Sequence, residues 1–403
     1  MLSVRSCAAF VQGAALLCGV AGCSSEERAT GLPQADDAVA VNMSPSLVAQ
    51  GREIFRFDTF GNETFWTDSA AMQVKINALP PEDALLAGLK VDVDALPASV
   101  RQALIAGNVD LTDPAVTVAL IGLDAVVGVV GTVENGSLVR VGFSCALCHS
   151  TVDNSVTAGV GSRLDGWPNR DLNIGAIVAM SDFIPDFPYN TWGPGMYDPR
   201  FNLDGLNIPV VLPPAFGLRH VKKEIYTGDD DVSYWNAYVA ITQMHGHGTF
   251  IDARIGVNVS NPPDLVSSKL AALRAYQLSL ETPQPRSGEY DPAAAKRGKF
   301  LFNTTAGCAR CHLGTIYSDV NTGKLHAGED VGQDPAYALR SVTKKYRTTP
   351  LRGLWNPPQL DGPYFHDGSA TTLADVVDHY VALFGLSLTA QQKSDLVEYL
   401  KTL

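Results

Sequence analysis

Cys145-Ala146-Leu147-Cys148-His149 and Cys308-Ala309-Arg310-Cys311-His312 decide how the rest of this chain is read. In each stretch two thiols stand one helical turn apart, and a histidine follows the second directly. That spacing lets the cysteines reach the two vinyl groups of one porphyrin while the histidine turns back to its iron. A zinc site would need further Cys or His at ligand spacing, which the sequence does not display. A redox dithiol would leave both histidines unexplained. The two pentapeptides therefore imply two covalently bound c-type haems, held by Cys145, Cys148, Cys308 and Cys311, with His149 and His312 as proximal iron ligands.

Working outward, the surroundings of the two motifs repeat. Ser44-Pro45 and Asp291-Pro292 each open a helix, with a side-chain oxygen at the cap and proline where no amide partner is needed. Gly51 and Gly298 each follow six residues after the proline, and Ile54-Phe55 and Leu301-Phe302 come next. A mid-helix glycine costs about 1 kcal/mol relative to alanine. Its recurrence at the same step predicts a close helix crossing in both copies. Each copy also closes on an amphipathic helix, one over 264–280 and one over 389–403, where Thr389 and Gln392 are spaced as a capping box. The plan resembles the class I cytochrome c fold.

The copies differ in one respect. Cys308 comes six residues after Phe302, but Cys145 comes 90 after Phe55, so about 84 residues are inserted in the first copy. Within the insertion, 81–89 and 97–105 read as helices, and Glu134-Asn135-Gly136 joins two Val-rich strands in a hairpin. The apolar run 115–133 carries Asp124 and several glycines, which argues against a membrane span. The fold class expected is mainly α. It has two cytochrome c-like haem domains, 43–285 and 286–403, the first with an insertion at 56–140 that contains the β-hairpin.

The 403 residues carry a formal net charge of −12. That argues against nucleic acid as a partner and suits a basic one. Arg5 precedes an apolar run from Cys7 to Val20, too short to cross a bilayer, so 1–22 reads as a signal peptide. Val20-Ala21-Gly22-Cys23 resembles a bacterial lipobox. The resemblance implies a lipid on Cys23, a tether over 23–42, and a periplasmic protein anchored to a membrane by that lipid alone. With Cys7 and Cys18 lost and Cys23 lipidated, the remaining four of seven cysteines are those of the two motifs.

Function turns on the sixth position of each iron, since two strong ligands make a carrier and an open one makes a reactive site. None of the six methionines lies in the second domain, where the candidates are His326, His366, His379 and Tyr380. Tyr380 falls on the apolar stripe of Leu373, Val376, Val377 and Phe384, whereas His379 lies about 100° away on the helix. Tyr380 is therefore expected to face inward, as ligand, haem neighbour or core tyrosine. For the first iron the candidates are Met180, Met196 and the cluster Met244-His245-Gly246-His247-Gly248, with His245 placed first and Met244 second.

Arg297-Gly298, the second motif, Tyr346 to Arg352, Pro363 to Gly368 and Thr372-Leu373 together resemble the bacterial di-haem cytochrome c peroxidase superfamily. The resemblance covers roughly the last 120 residues well, and the first domain through its motif and helix plan. It implies reduction of hydrogen peroxide with electrons from a small cytochrome or copper protein, Trp355 between the haems, Arg352 on a haem propionate, and a calcium ion to which Asp229, Asp230 and Asp231 could offer oxygens. In the peroxidases a methionine occupies the place of Tyr380. A tyrosine there is similar to the tryptophan-modifying di-haem enzymes of methylamine metabolism. The displaceable histidine that peroxidases carry soon after the first motif is missing, and the insertion is outside the usual plan. Besides the peroxidase, two alternatives remain: an electron-transfer lipoprotein without catalysis, and a di-haem oxidase acting on an organic or protein substrate.

Overall fold

The computed structural model describes residues 43–355 and 362–403. The signal, the lipobox cysteine and the tether expected over 1–42 lie outside the described residues. Helices dominate, and every sheet among the described residues has two strands. No helix among them is long and apolar enough to cross a membrane.

Both predicted crossings are present. Pro45–Phe57 lies across Leu270–Ser279, and Pro292–Asn303 lies across Ala390–Leu400. The glycines set how close they come. A Cβ on Gly51 would sit 1.9 Å from the Ala272 carbonyl oxygen, and one on Gly298 would sit 1.9 Å from that of Asp395. Beside each glycine an aromatic pair closes the angle edge to face: Phe55 with Tyr276 at 5.5 Å, and Phe302 with Tyr399 at 5.2 Å. The caps are as expected. Ser44 accepts from the Leu47 amide, Asp291 from those of Ala293 and Ala294, and Thr389 and Gln392 form the capping box.

The insertion leaves and rejoins the chain at one point. Ser144 Oγ donates to the Arg56 carbonyl at 2.7 Å, so the end of the first helix adjoins the motif. Between them, short helices at Pro81–Leu86, Ala98–Ile105 and Pro114–Gly122 precede the strands Val129–Glu134 and Ser137–Phe143. The apolar run 115–133 is thus divided between a helix and a strand. Asn135 and Gly136 take φ of 51° and 78°, the left-handed pair that a two-residue hairpin turn requires. The outer strand is not left bare. Asn62 pairs with both backbone groups of Phe143, Thr67 with both of Val141, and Asn77 with both of Leu138. Three side chains do the work of a neighbouring strand and blunt an edge that would otherwise template association. Ile121, Leu138 and Val141 are almost fully buried in this unit, each contributing about 1.5–3 kcal/mol by burial. The same apolar cluster takes in Leu147, Leu172 and Ile174 next to the motif.

The N-terminal and C-terminal portions meet through ion pairs whose arginines are buried. Arg340 grips Asp198 at 3.0 Å and Asp204 at 2.8 Å, and Arg347 meets Glu224 at 3.0 Å. Arg200, paired with Asp229 at 3.0 Å, also donates to the Arg340 carbonyl. Removing one partner would leave a desolvated charge, which costs about 3–5 kcal/mol.

Candidate haem sites and the arginines between them

The first motif forms a single helical turn, Ala146–His149, and the second a tighter 3-10 turn, Cys308–Arg310. None of the four thiols is in a disulfide. Burial pushes Cys145 and Cys148 up to about 12 and Cys308 to about 11, and also raises Cys311. Such thiols remain protonated at neutral pH, unlike the depressed thiolates of redox dithiols and metal sites.

The histidines are prepared differently. His312 Nδ1 lies 2.8 Å from the Tyr317 carbonyl, which can accept only a ring N–H. That fixes the tautomer and leaves Nε2 as the free lone pair for a metal. Burial drives His149 down to about 4, opposed by the Pro213 carbonyl, yet no hydrogen bond of ordinary length closes on Nδ1, which is left buried without a partner. Both imidazoles are thus neutral at pH 7, the form that binds iron.

Tyr380 is half-buried, edge to face with Phe365 at 6.0 Å and stacked on Phe384 at 5.9 Å. Its hydroxyl is raised to about 12, by burial first and then by the nearby Cys311 and Cys308 thiols. His379 turns the other way, its Nε2 3.1 Å from the Val331 carbonyl. His366 is held between Tyr346 at 3.0 Å and Gln333 at 3.2 Å. His326 meets Asp319 at 3.2 Å and Thr348 at 2.9 Å. Asp319, His326 and Cys311 place one ligand atom each within 4.8 Å, a convergence that the sequence, with these residues up to 15 apart, did not display. The aspartate and histidine are already engaged with each other. For the first iron, Met244 packs against the same apolar cluster as Cys145. His245 instead stacks on Phe65 at 3.6 Å, and burial lowers it to about 4.

Arg352, Arg347 and Arg170 are buried among the segments that join the N-terminal and C-terminal portions, and the Nε of each has no hydrogen-bond partner among the described residues. Arg352 donates to the Gly217 carbonyl, and burial lowers it to about 10. Arg170 donates to the Pro363 carbonyl at 3.1 Å. Glu224 pairs with Arg347 at 3.0 Å and lies 4.0 Å from Arg352, and the Nε–H groups left over would suit further carboxylates, as porphyrin propionates would be. Arg352 was named from the resemblance, whereas Arg170 and Arg347 were not singled out as propionate partners. Trp355 is buried and donates from Nε1 to the Pro283 carbonyl at 3.3 Å, against the linker.

The three acidic residues suggested for calcium are given other work. Asp229 pairs with Arg200, Asp231 caps the helix Val232–Tyr238, and Asp230 Oδ1 accepts from the Asp231 amide.

No family model matches the chain. It is 33% identical over 158 residues to the methylamine utilization protein MauG of Methylorubrum extorquens, covering 34% of this chain and 43% of that one. A cytochrome-c peroxidase of a Pseudomonas species is 31% identical over 152 residues, 27% of this chain and 39% of that one. Hydrazine synthase subunit gamma of Kuenenia stuttgartiensis is 30% identical over 177 residues, 34% and 49%. The chain spans less than half the length of these curated relatives. A solved Kuenenia stuttgartiensis hydrazine synthase covers 53% of this chain and 78% of that one at 22% identity, with a TM-score of 0.36, and carries no weight for the fold. The curated relatives bear out the resemblance to the di-haem cytochrome c peroxidase superfamily.

Proposed function

We propose, from this kinship with the di-haem cytochrome c peroxidase superfamily, that the chain is an exported, lipid-anchored di-haem c-type cytochrome. In this reading it reduces hydrogen peroxide with electrons from a small cytochrome or copper protein. The observation that carries the reading is that each Cys-x-x-Cys-His turn stands with a helix crossing built on glycine in its own half of the chain.

Cys145, Cys148 and His149 would hold one haem, and Cys308, Cys311 and His312 the other. When bound, the iron supplies one-electron chemistry and a coordination position for peroxide. The chain's own residues set the conditions. The Tyr317 carbonyl holds His312 in the tautomer that presents Nε2, the buried arginines offer N–H groups to propionates, and the insertion excludes water from the Leu147 side of the first motif. Of the first-iron candidates, Met244 packs against the apolar cluster that also takes in Cys145, whereas His245 stacks on Phe65.

A second reading rests on Tyr380, whose hydroxyl faces the thiols of the second motif. Tyrosine on that iron would favour the ferric state and suit an oxidase acting on an organic or protein substrate. Mixing the purified protein with a reduced cytochrome donor and hydrogen peroxide separates the readings. Rapid peroxide loss is expected. Two six-coordinate irons unreactive to peroxide and carbon monoxide would leave the electron-transfer lipoprotein as the function.

A further inference from the structure

We propose that the cleft closed by His245 is a binding site for a neutral monocyclic phenol or hydroquinone, an inference that goes beyond the peroxidase reading and needs no haem chemistry.

Two π-helical turns, Thr64–Ser69 and Val239–Gln243, stand against this cleft. Such turns are rare and concentrate at functional sites, because the extra residue re-aims the side chains beside it. His245 follows the second turn at φ 63°, a left-handed backbone that a residue with a side chain keeps only when its surroundings impose it. Trp66 Nε1 donates to the Met244 carbonyl at 3.0 Å and ties the two turns together.

The His245 imidazole lies flat on the Phe65 ring, with centroids 3.6 Å apart and planes 15° apart. It makes ring contacts to Phe65 and Trp66 and no hydrogen bond to another described residue. His247, two residues on, has both ring nitrogens occupied, by Thr64 at 3.1 Å and the Pro262 carbonyl at 3.2 Å. One histidine of the pair is therefore structural, and the other presents an unused nitrogen.

The cleft offers about 330 Å³, within the range of small-molecule sites. Ile241 and Val259 supply apolar wall, Thr64, Ser69 and Asn261 supply polar atoms, and no charged side chain lines it. A charged ligand would be desolvated there without a counter-charge. A bare hydrocarbon would leave the imidazole and the polar atoms unpaired. An aromatic ring carrying one or two hydroxyls satisfies both conditions: the ring meets the apolar wall and a hydroxyl donates to the imidazole. Behind the cleft, Gln243 accepts from the Tyr197 hydroxyl at 2.8 Å, and Tyr197 in turn feels the Cys148 thiol.

The test is calorimetric titration of the holoprotein with phenol, hydroquinone, benzene and benzoate, alongside His245→Phe and Ser69→Trp. The first variant keeps a flat ring without the acceptor, and the second fills the mouth at an exposed position. Saturable one-site binding of phenol and hydroquinone is expected, with benzene and benzoate weaker. His245→Phe should lose about tenfold in affinity, the worth of one hydrogen bond, and Ser69→Trp should lose at least as much by blocking the mouth, with the visible haem spectrum unchanged in both. The inference fails if phenol heats do not saturate, if benzoate binds as well as phenol, or if both variants bind as the parent does. It also fails if His245→Phe changes the first haem's spectrum, which would put that imidazole on iron.

Discussion

The two helix crossings share one contact and differ in what surrounds it. Gly51 and Gly298 approach a carbonyl oxygen at the same distance, and Tyr276 and Tyr399 occupy the same corner. In the C-terminal crossing the carbonyl belongs to Asp395, whose carboxylate is gripped by Arg297 at 2.6 and 2.8 Å. In the N-terminal crossing Ala272 stands there, and the ionic contact has moved to Arg56 and Asp165 at 2.6 Å, beside the motif. Backbone proximity is thus the invariant, and electrostatics is adjusted around it. The C-terminal motif is also bare of the long insertion that covers the other, so the same plan yields one sheltered site and one more open site.

Four experiments press on this comparison, and the first should have the largest effect. Replacing Cys145 and Cys148 by serine should remove one covalent macrocycle, and replacing Cys308 and Cys311 should remove the other. Mass spectrometry should show one haem lost in each case and about half of the Soret absorbance gone. Equal retention of both haems would end the two-site reading.

Gly51→Val and Gly298→Val come next. Each forces a branched side chain into a backbone carbonyl, and a destabilisation of about 3 kcal/mol is expected from each in denaturant unfolding. A large loss in only one of them would show that the crossings are not equivalent.

Tyr380→Phe should change the visible spectrum of the second haem and leave the first alone, at little cost in stability. An unchanged spectrum would remove Tyr380 from the iron.

The smallest effect concerns acid. Arg297 holds the Asp395 carboxyl below the ordinary aspartate range. A carboxyl depressed on folding stabilises the fold at pH values above its unfolded pKa, about 3.9, and that contribution disappears as pH falls through the folded value. Asp395→Asn should therefore melt below the parent at pH 7, and the gap should close as pH falls through the depressed folded pKa of Asp395. A gap independent of pH would mean that the ion pair contributes through packing alone.

How much of this was legible in the residues follows from range. The caps, the glycine crossings and the Asn135-Gly136 turn are local patterns of spacing and period, and they read correctly. The 3-10 form of the second motif, the π-helical turns and the left-handed His245 are set by tertiary packing and leave no period to read. The seam of Arg170, Arg347 and Arg352 joins residues up to 182 positions apart, so only one of the three could be guessed, by resemblance. Consecutive aspartates look alike in one dimension, but in three Asp231 caps a helix, Asp229 pairs with Arg200 and Asp230 accepts from a neighbouring amide.

The hydrogen bond from Ser144 to the Arg56 carbonyl has a genetic corollary. A segment whose ends touch can be acquired or lost in one event without dragging the flanking elements apart, and closing so long a loop costs little more than closing a short one. The segment is therefore excisable in principle, with a bridge as short as the one after Phe302. Excision would not be free, because Leu147, Leu172 and Ile174 would lose their cover. A trimmed chain would keep its helix plan and become sticky, which gives selection a reason to retain the segment once it had arrived.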